Sequence, residues 1–179
     1  NGLKVIDNSA FAWCRNLKHV DFPSSLEHID KFAFLGSALK EVGLKSFKPG
    51  VLKNMLASFS MQPFGGYDTM EEAYAIFKCG KKYLYVPKDI ASSSSDEIEE
   101  KIRNYFFDKD VPHVSLLEYG TTRMCRDAVA VAEFCDFGDE NARNHIKKHV
   151  ERISRMLLDE KNEECISKLI RADIIPDDI

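Results

Sequence analysis

A short apolar pattern occurs twice near the start of the chain, and it constrains the fold more than any other feature. Ala10–Cys14 reads AFAWC, and Ala33–Ser37, 23 positions later, reads AFLGS. Further apolar positions recur in step, first 23 and then, after a one-residue deletion, 22 positions apart. The pattern therefore predicts two copies of one structural repeat. The further pairs are Leu3/Leu26, Ile6/Ile29, Leu17/Leu39, Val20/Val42 and Phe22/Leu44.

A repeat of this length favours a solenoid in which each coil contains a short strand and a return segment. The predicted strands are Leu17–Phe22 and Leu39–Leu44, because apolar residues two positions apart face the same side of a strand. Pro23 ends the first strand because it lacks a backbone donor. On the return side, we expect Phe11 to stack on Phe34.

These residues resemble the leucine-rich repeats of the BspA-like type, found mostly in bacteria and in some protists. The sequence pattern of one repeat in that family is roughly I-x-x-x-A-F-x-x-C-x-x-L-x-x-V-x-I-P. The second copy matches less fully and lacks the Cys and the Pro. The resemblance covers about the first quarter of the chain, and it implies protein–protein interaction and, for some members, adhesion to host or matrix proteins. The first copy matches at Ile6, Ala10, Phe11, Cys14, Leu17, Val20, Phe22 and Pro23.

Trp13 departs from the repeat, since Gly36 occupies the matching position in the second copy. Two interpretations are open: Trp13 covers the end of the solenoid, or it is an exposed aromatic anchor for a partner. The outward strand positions offer a further surface for recognition. The predicted protein-contact residues are Trp13, Lys18, His19, Asp21, Lys40 and Glu41.

The middle of the chain predicts a change of structure. Apolar residues between Val51 and Phe59 fall on one helix face, and residues 63–66 predict a turn. A capping-box pattern at Thr69–Glu72 predicts a short helix through Phe77. Lys82–Pro87 predicts a strand, whose last four residues echo the end of the first repeat strand and could belong to a degenerate third coil.

The remainder of the chain predicts helices. Ser94 or Ser95 would cap a first helix, Asp139 would cap a longer one, and Pro176 would begin another. Short helices joined by turns favour antiparallel hairpins, stacked like ankyrin-type arrays. Their predicted inward stripes are Ile98, Ile102, Tyr105 and Phe106; Ala128, Val129, Ala132 and Cys135; Ala142, Ile146, Val150, Ile153 and Leu157; and Cys165, Ile166, Leu169 and Ile170.

The predicted fold class is α+β: a short leucine-rich-repeat β-solenoid of two to three coils, followed by an all-α helical-hairpin array. We expect a leucine-rich-repeat region at 1–90 and an α-helical domain at 91–179. The repeat starts in mid-coil, since residues 1–3 align with residues 24–26. We therefore expect more coils upstream and a truncated helical array downstream.

Candidate chemistry in the sequence is weak. His145 and His149 lie four apart on a predicted helix and could share a metal, but no acid follows His145 as in H-E-x-x-H. Cys14 occupies the structural position of the repeat, where burial makes a thiol inert. The five cysteines have irregular spacings and no CxxC, so they predict free thiols in a reducing compartment. We expect neither an enzyme nor a cofactor.

Charge and hydropathy narrow the class of partner. A net charge of −4 argues against a general nucleic-acid binder, and no apolar run is long enough to insert into a membrane. The sequence therefore predicts a module that binds an unknown protein partner, favouring a cytoplasmic scaffold. A cell-surface or secreted adhesin is the alternative. A metal-binding protein, or a ligand-sensing protein with a pocket near Tyr83–Tyr105, is the second alternative.

Overall fold

The computed structural model describes residues 2–59 and 66–176. The predicted turn at 63–66 falls largely outside these residues, as does the helix predicted to begin at Pro176. The strands are β1 (Val5–Ile6), β2 (His19–Phe22), β3 (His28–Ile29), β4 (Glu41–Leu44), β5 (Tyr74–Cys79) and β6 (Lys82–Pro87). The helices are α1 (Lys53–Phe59), α2 (Ser95–Phe107), α3 (Arg123–Phe137), α4 (Glu140–Lys148), α5 (Val150–Asp159) and α6 (Glu163–Arg171).

The two repeat copies lie side by side with the register that the sequence predicts. β1 and β3 pair in parallel with Ile6 opposite Ile29, 23 positions later. β2 and β4 pair in parallel with Val20 opposite Val42, 22 positions later. On the return side, Phe11 stacks on Phe34 with ring centroids 5.3 Å apart. The number of residues between matching positions of the two copies is therefore also the offset between the residues that pair in the sheets.

The first copy forms the open edge of both sheets, which run in the order β1-β3 and β2-β4-β5-β6. Phe11 is exposed, whereas its equivalent Phe34 is buried under it. Leu3 is likewise exposed and its equivalent Leu26 is buried. Each copy thus buries the apolar residues of its neighbour, and the first copy leaves its own outer face uncovered.

A third parallel strand joins the sheet, but not where the sequence predicts it. β5 pairs in parallel with β4, and Val42 lies opposite Phe77, 35 positions later. β6 then returns antiparallel to β5. Leu84–Pro87 therefore lies outside the parallel stack. The longer interval between β4 and β5 contains α1.

The helix predicted through Phe77 is wrong. A short 3-10 turn at Met70–Glu72 is followed at once by β5, and the Thr69 side chain makes no capping hydrogen bond. Ala75 and Phe77 are fully buried, on the opposite face of the strand from Ile76. Sheet pairing therefore overrides the local helix signal, and the alternation of the side chains follows the strand period.

The β5–β6 hairpin separates two hydrophobic cores. Ala75, Phe77, Leu84 and Val86 belong to the core that the repeat copies share with α1 and α2. Tyr85 belongs to the core of the later helices. Because β6 is covered on both faces, most of its residues are buried. The aromatic and aliphatic side chains of the hairpin that face the second core are Tyr74, Ile76, Tyr83 and Tyr85.

The later helices depart from the predicted pattern at two places. Ser94 precedes α2, but its side chain makes no capping hydrogen bond, so the predicted serine cap is wrong. The Asp139 side chain accepts a hydrogen bond from the Ala142 N–H at 2.8 Å, which confirms the predicted cap. The single helix predicted beyond it is two helices, α4 and α5, which meet at His149. No helix in the described part of the chain is long and apolar enough to cross a membrane.

Candidate functional site

Trp13 adopts a backbone conformation that suits glycine. Its φ is +61°, in the left-handed region, and Gly36 at the equivalent repeat position has a φ of +63°. Glycine adopts this region freely, whereas another residue is destabilised there by about 1 kcal/mol or more. Trp13 is nevertheless 51% exposed. A large aromatic residue therefore occupies a strained position that its own burial does not explain.

The Trp13 ring lies directly against the second repeat copy. A Cβ placed on Gly36 would come within 2.6 Å of Trp13 Cε3, so the ring fits only because Gly36 has no side chain. The Trp13 N–H donates a hydrogen bond to the Leu35 carbonyl at 2.7 Å. Trp13 thus packs on the edge of the second copy while about half of its surface stays exposed; its role as a contact for a partner stays a prediction.

An open groove of about 580 Å³ lies beside Trp13, and we call it the Trp13 groove. The groove is bounded by the two repeat copies and by the segment that precedes β5. Lys88, which directly follows β6, also lines it. Its lining combines one exposed aromatic ring with more basic than acidic side chains. The side chains that carry this character are Trp13, Arg15, Lys18, Lys40, Tyr67, Asp68, Glu72 and Lys88.

The basic side chains of the groove differ in their partners. Lys40 Nζ lies 2.9 Å from a Glu71 carboxylate oxygen and is half-buried. Arg15 and Lys18 are exposed, and within the described part of the chain no carboxylate forms an ion pair with either. The mouth of the groove therefore carries two cations whose charge is not compensated locally.

Lys88 lies at the inner end of the groove. Its N–H donates to the Ala73 carbonyl at 3.0 Å, which fixes the backbone at the end of β6. The residue is only 5% exposed. Among the described residues, no carboxylate oxygen lies within 4.0 Å of Lys88 Nζ. Burial lowers the pKa of Lys88 to about 8, although the Glu72 carboxylate acts in the opposite direction; the Lys40 ammonium lowers it further.

A second buried polar group lines the same groove. The Tyr67 hydroxyl oxygen is inaccessible to solvent. Burial raises the pKa of Tyr67, and the Cys125 thiol on α3 is its neighbouring polar group and hydrogen-bond partner. The Tyr67 hydroxyl is therefore directed at α3, and Lys88 is the buried charge of the lining that has no ion-pair partner among the described residues.

The remaining predicted contact residues lie on the strand face rather than in the groove. His19 Nε2 is 3.0 Å from an Asp21 carboxylate oxygen, and His19 Nδ1 is 3.6 Å from a Glu41 carboxylate oxygen. Lys78 on β5 reaches the same Glu41 carboxylate at 2.9 Å. Asp21 leans over Gly43, where a Cβ would come within 1.9 Å of its Oδ1. These side chains form an exposed ion-pair cluster.

The comparison with protein families agrees with this geometry. The model of the BspA type leucine rich repeat region, six copies, matches residues 1–107. This chain belongs to the BspA type leucine rich repeat family. The match ends where α2 ends, and it includes β5, β6 and most of the Trp13 groove. No curated protein and no solved structure matches this chain.

Beyond the leucine rich repeat region, the two histidines considered for a metal site lie with their ring centroids 4.7 Å apart, and His145 has a carboxylate partner. His145 Nε2 lies 2.9 Å from Oδ1 of Asp127, which is fully buried. Arg152 binds the same carboxylate through two hydrogen bonds of 2.7 and 2.8 Å. Burial acts to raise the pKa of Asp127, but these partners outweigh it and lower the pKa. Among the described residues, no group of three or more His, Cys, Asp or Glu could hold a metal.

A smaller pocket of about 230 Å³ lies where the leucine rich repeat region meets the later helices. Tyr74 and Tyr85 line one side, and Asp136, at the end of α3, accepts hydrogen bonds from Tyr83 at 2.9 Å and from Tyr85. This pocket coincides with part of the joint for which a ligand-sensing role is an alternative. Asp136 therefore satisfies the hydroxyl groups of Tyr83 and Tyr85.

Two thiols also line this smaller pocket. Cys135 on α3 and Cys165 on α6 are neighbours in this lining, and their thiols interact. The contact with Cys165, together with burial, raises the pKa of Cys135, whereas the same contact lowers the pKa of Cys165. The sequence offers no sign of this pairing, because the two residues are thirty positions apart in separate helical stripes.

Local sequence patterns do not single out Lys88 or Tyr67. Lys88 and Asp89 form a polar pair after Pro87 at the end of an apolar strand, which is typical of an exposed strand end. The burial of Lys88 depends on the packing of α3 and of the segment before β5, and neither is visible in a local pattern. The short length of this polar pair, between the strand and Ile90, was the one available signal.

Proposed function

We propose that this chain is a protein-recognition module and that the Trp13 groove is its main contact surface. The observation that supports this proposal is that Trp13 lines the groove and is held in a left-handed conformation that glycine adopts in the next copy. Locally unfavourable residues concentrate where function requires them. Tryptophan and arginine are also the residues most enriched at binding hot spots.

The two repeat-like parts of the chain support the same proposal. We propose that the repeat copies form a short β-solenoid of two to three coils and that the later helices stack on it as hairpins. The offsets of 23 and 22 between paired strands support the first part. Both architectures build extended surfaces suited to protein recognition.

Binding without catalysis is part of the proposal. Outside the Trp13 groove, the conspicuous polar clusters are paired within the chain: His19 with Asp21, and Asp127 with Arg152. A catalytic group needs to be free to reach a substrate. We therefore expect neither an enzymatic activity nor a resident cofactor.

Affinity capture tests the proposal. The immobilised chain is incubated with cell lysate in one arm and with extracellular-matrix proteins in the other. The Trp13→Gly variant removes the ring and installs the residue that the second copy uses, so it keeps the fold. The matched control is Leu158→Ala, which truncates an exposed apolar residue on α5, away from the groove.

We expect a retained protein that Trp13→Gly loses and that Leu158→Ala keeps. All five cysteines are free, which favours a reducing compartment and hence the lysate arm. Retention from the matrix arm alone would assign the adhesion role instead. A partner that both variants retain equally, or no partner from either arm, would refute recognition through Trp13.

A further inference from the structure

The inner end of the Trp13 groove has the features of an anion site. Lys88 is 5% exposed and, among the described residues, its ammonium has no carboxylate within ion-pair distance. An ammonium is a donor of three hydrogen bonds, so an acceptor that carries negative charge satisfies it best. Burying an uncompensated lysine destabilises a fold, which makes its presence here informative.

The surrounding charges favour an anion at this place. Arg15, Lys18 and Lys40 line the approach to Lys88, while Asp68 and Glu72 are the acidic side chains in the lining. Lys40 is already bound to Glu71, but Arg15 and Lys18 are exposed and available to a ligand. The groove thus has an excess of positive charge in a chain whose net charge is −4.

The same lining favours a carboxylate on a protein over a polyanion. Asp68 and Glu72 repel a densely charged ligand, and such repulsion is a common source of specificity. The exposed Trp13 ring offers an apolar surface that a peptide can use and that a free inorganic anion cannot. The volume, about 580 Å³, is sufficient for several side chains of a bound segment.

We propose that the Trp13 groove binds an acidic segment of a protein partner, with one Asp or Glu carboxylate of that segment accepting a hydrogen bond from the Lys88 ammonium. This inference rests on the proposed function and specifies the chemistry of the partner. Trp13 covers the apolar part of the bound segment, and Arg15 and Lys18 bind its remaining charge. The backbone bond from Lys88 to the Ala73 carbonyl positions Lys88.

The test uses a fluorescein-labelled peptide in which glutamate alternates with leucine as the probe, with the same peptide carrying glutamine in place of each glutamate as its neutral control. Binding to the chain is measured by fluorescence anisotropy. The Lys88→Met variant keeps the length of the buried side chain but removes its charge. Lys109→Met makes the same change at an exposed lysine outside the groove. Circular dichroism shows that each variant is folded.

The expected result is that the glutamate peptide binds and the glutamine peptide does not. Lys88→Met should weaken binding about 10-fold or more, as the loss of a charged hydrogen bond implies, and Lys109→Met should change it less than about twofold. Equal binding to both variants, or no binding to the unmodified chain, would overturn the proposal. Inorganic phosphate that binds through Lys88 when the glutamate peptide does not would also overturn it, in favour of a free-anion site.

The affinity-capture experiment and the peptide-binding experiment test different proposals, so one can fail while the other succeeds. A partner captured through Trp13 but insensitive to Lys88→Met leaves the recognition function intact and refutes the carboxylate site. Glutamate-peptide binding through Lys88, with no partner captured through Trp13, supports the anion site and refutes the recognition function as proposed.

Discussion

Replacing the buried lysine should stabilise the protein. Lys88 is 5% exposed, and burial lowers its pKa from 10.5 to about 8. At 1.36 kcal/mol per pKa unit, this difference corresponds to about 3 kcal/mol of unfavourable free energy in the folded state at pH 7. Methionine fills a similar volume without a charge. We therefore expect the free energy of unfolding of Lys88→Met to exceed that of the unmodified chain by up to about 3 kcal/mol at pH 7.

The pH dependence of the stability difference between Lys88→Met and the unmodified chain shows whether the buried Lys88 charge causes it. The folded protein releases the Lys88 proton near pH 8, whereas the unfolded chain keeps it until about pH 10.5. Between these values the unfolded state binds more protons, so the Lys88 contribution makes the folded state more stable as pH rises. The advantage of Lys88→Met should therefore be full below pH 8 and should disappear towards pH 10.5. Raised pKa values at Tyr67 and Cys125 act in the opposite direction, but both proteins contain these groups.

The measurement is urea denaturation followed by circular dichroism at several pH values, with the difference between the two proteins as the result. Lys109→Met is the control, and as an exposed substitution it should change stability by less than about 0.5 kcal/mol. A Lys88→Met protein that is less stable at pH 7 would show that Lys88 supports the fold, and the reasoning would be refuted. A constant difference across pH would refute the assigned cause.

Three further predictions follow from other residues. Trp13→Ala and Trp13→Gly both remove the ring, so Trp13→Gly should be more stable by about 1 kcal/mol in thermal or urea unfolding; equal stability would contradict the strain at this position. Asp127→Asn breaks a buried pair with Arg152 and should destabilise by about 2–3 kcal/mol in urea, a loss that disappears when acid protonates Asp127. Iodoacetamide should label Cys165 before Cys135 at pH 8, as read by peptide mass spectrometry, because the contact between them lowers the pKa of Cys165 and raises that of Cys135; the reverse order would refute this assignment.

The repeat copies could be predicted closely because their structure is a direct consequence of spacing. Ile6 pairs with Ile29 and Val20 with Val42 at the offsets that the sequence shows. Each of these positions must bury the same kind of side chain, so the physical constraint repeats along the chain. The stacking of Phe11 on the next copy follows from the same constraint.

The third strand could not be predicted in this way. The interval between paired residues grows from 22 to 35 at β5, because α1 intervenes, and the period is lost. The local sequence around Thr69 favours a helix cap, but pairing with β4 decides the structure. Sheet contacts between distant residues outweigh a local propensity of a few tenths of a kcal/mol.

The candidate site was only partly predictable for a similar reason. Trp13 was visible as a break in the repeat. Lys18 and Lys40 directly precede β2 and β4, and strand alternation does not predict their place in the groove. Lys88 and Tyr67 depend on contacts with α3, which lies far along the sequence. A buried charge without a partner is a property of packing between elements, and no local window of sequence contains it.

The hairpin of β5 and β6 also determines at which edge of the sheet further repeat copies can be added by duplication. Repeat copies accumulate by adding one more parallel neighbour. On the β6 side the neighbour is antiparallel, and α2 and α3 pack on it. A duplicated copy there would have to separate β6 from these helices. Lengthening is therefore confined to the edge formed by β1 and β2, the edge beside which Trp13 lies, so each added copy would remodel the recognition surface.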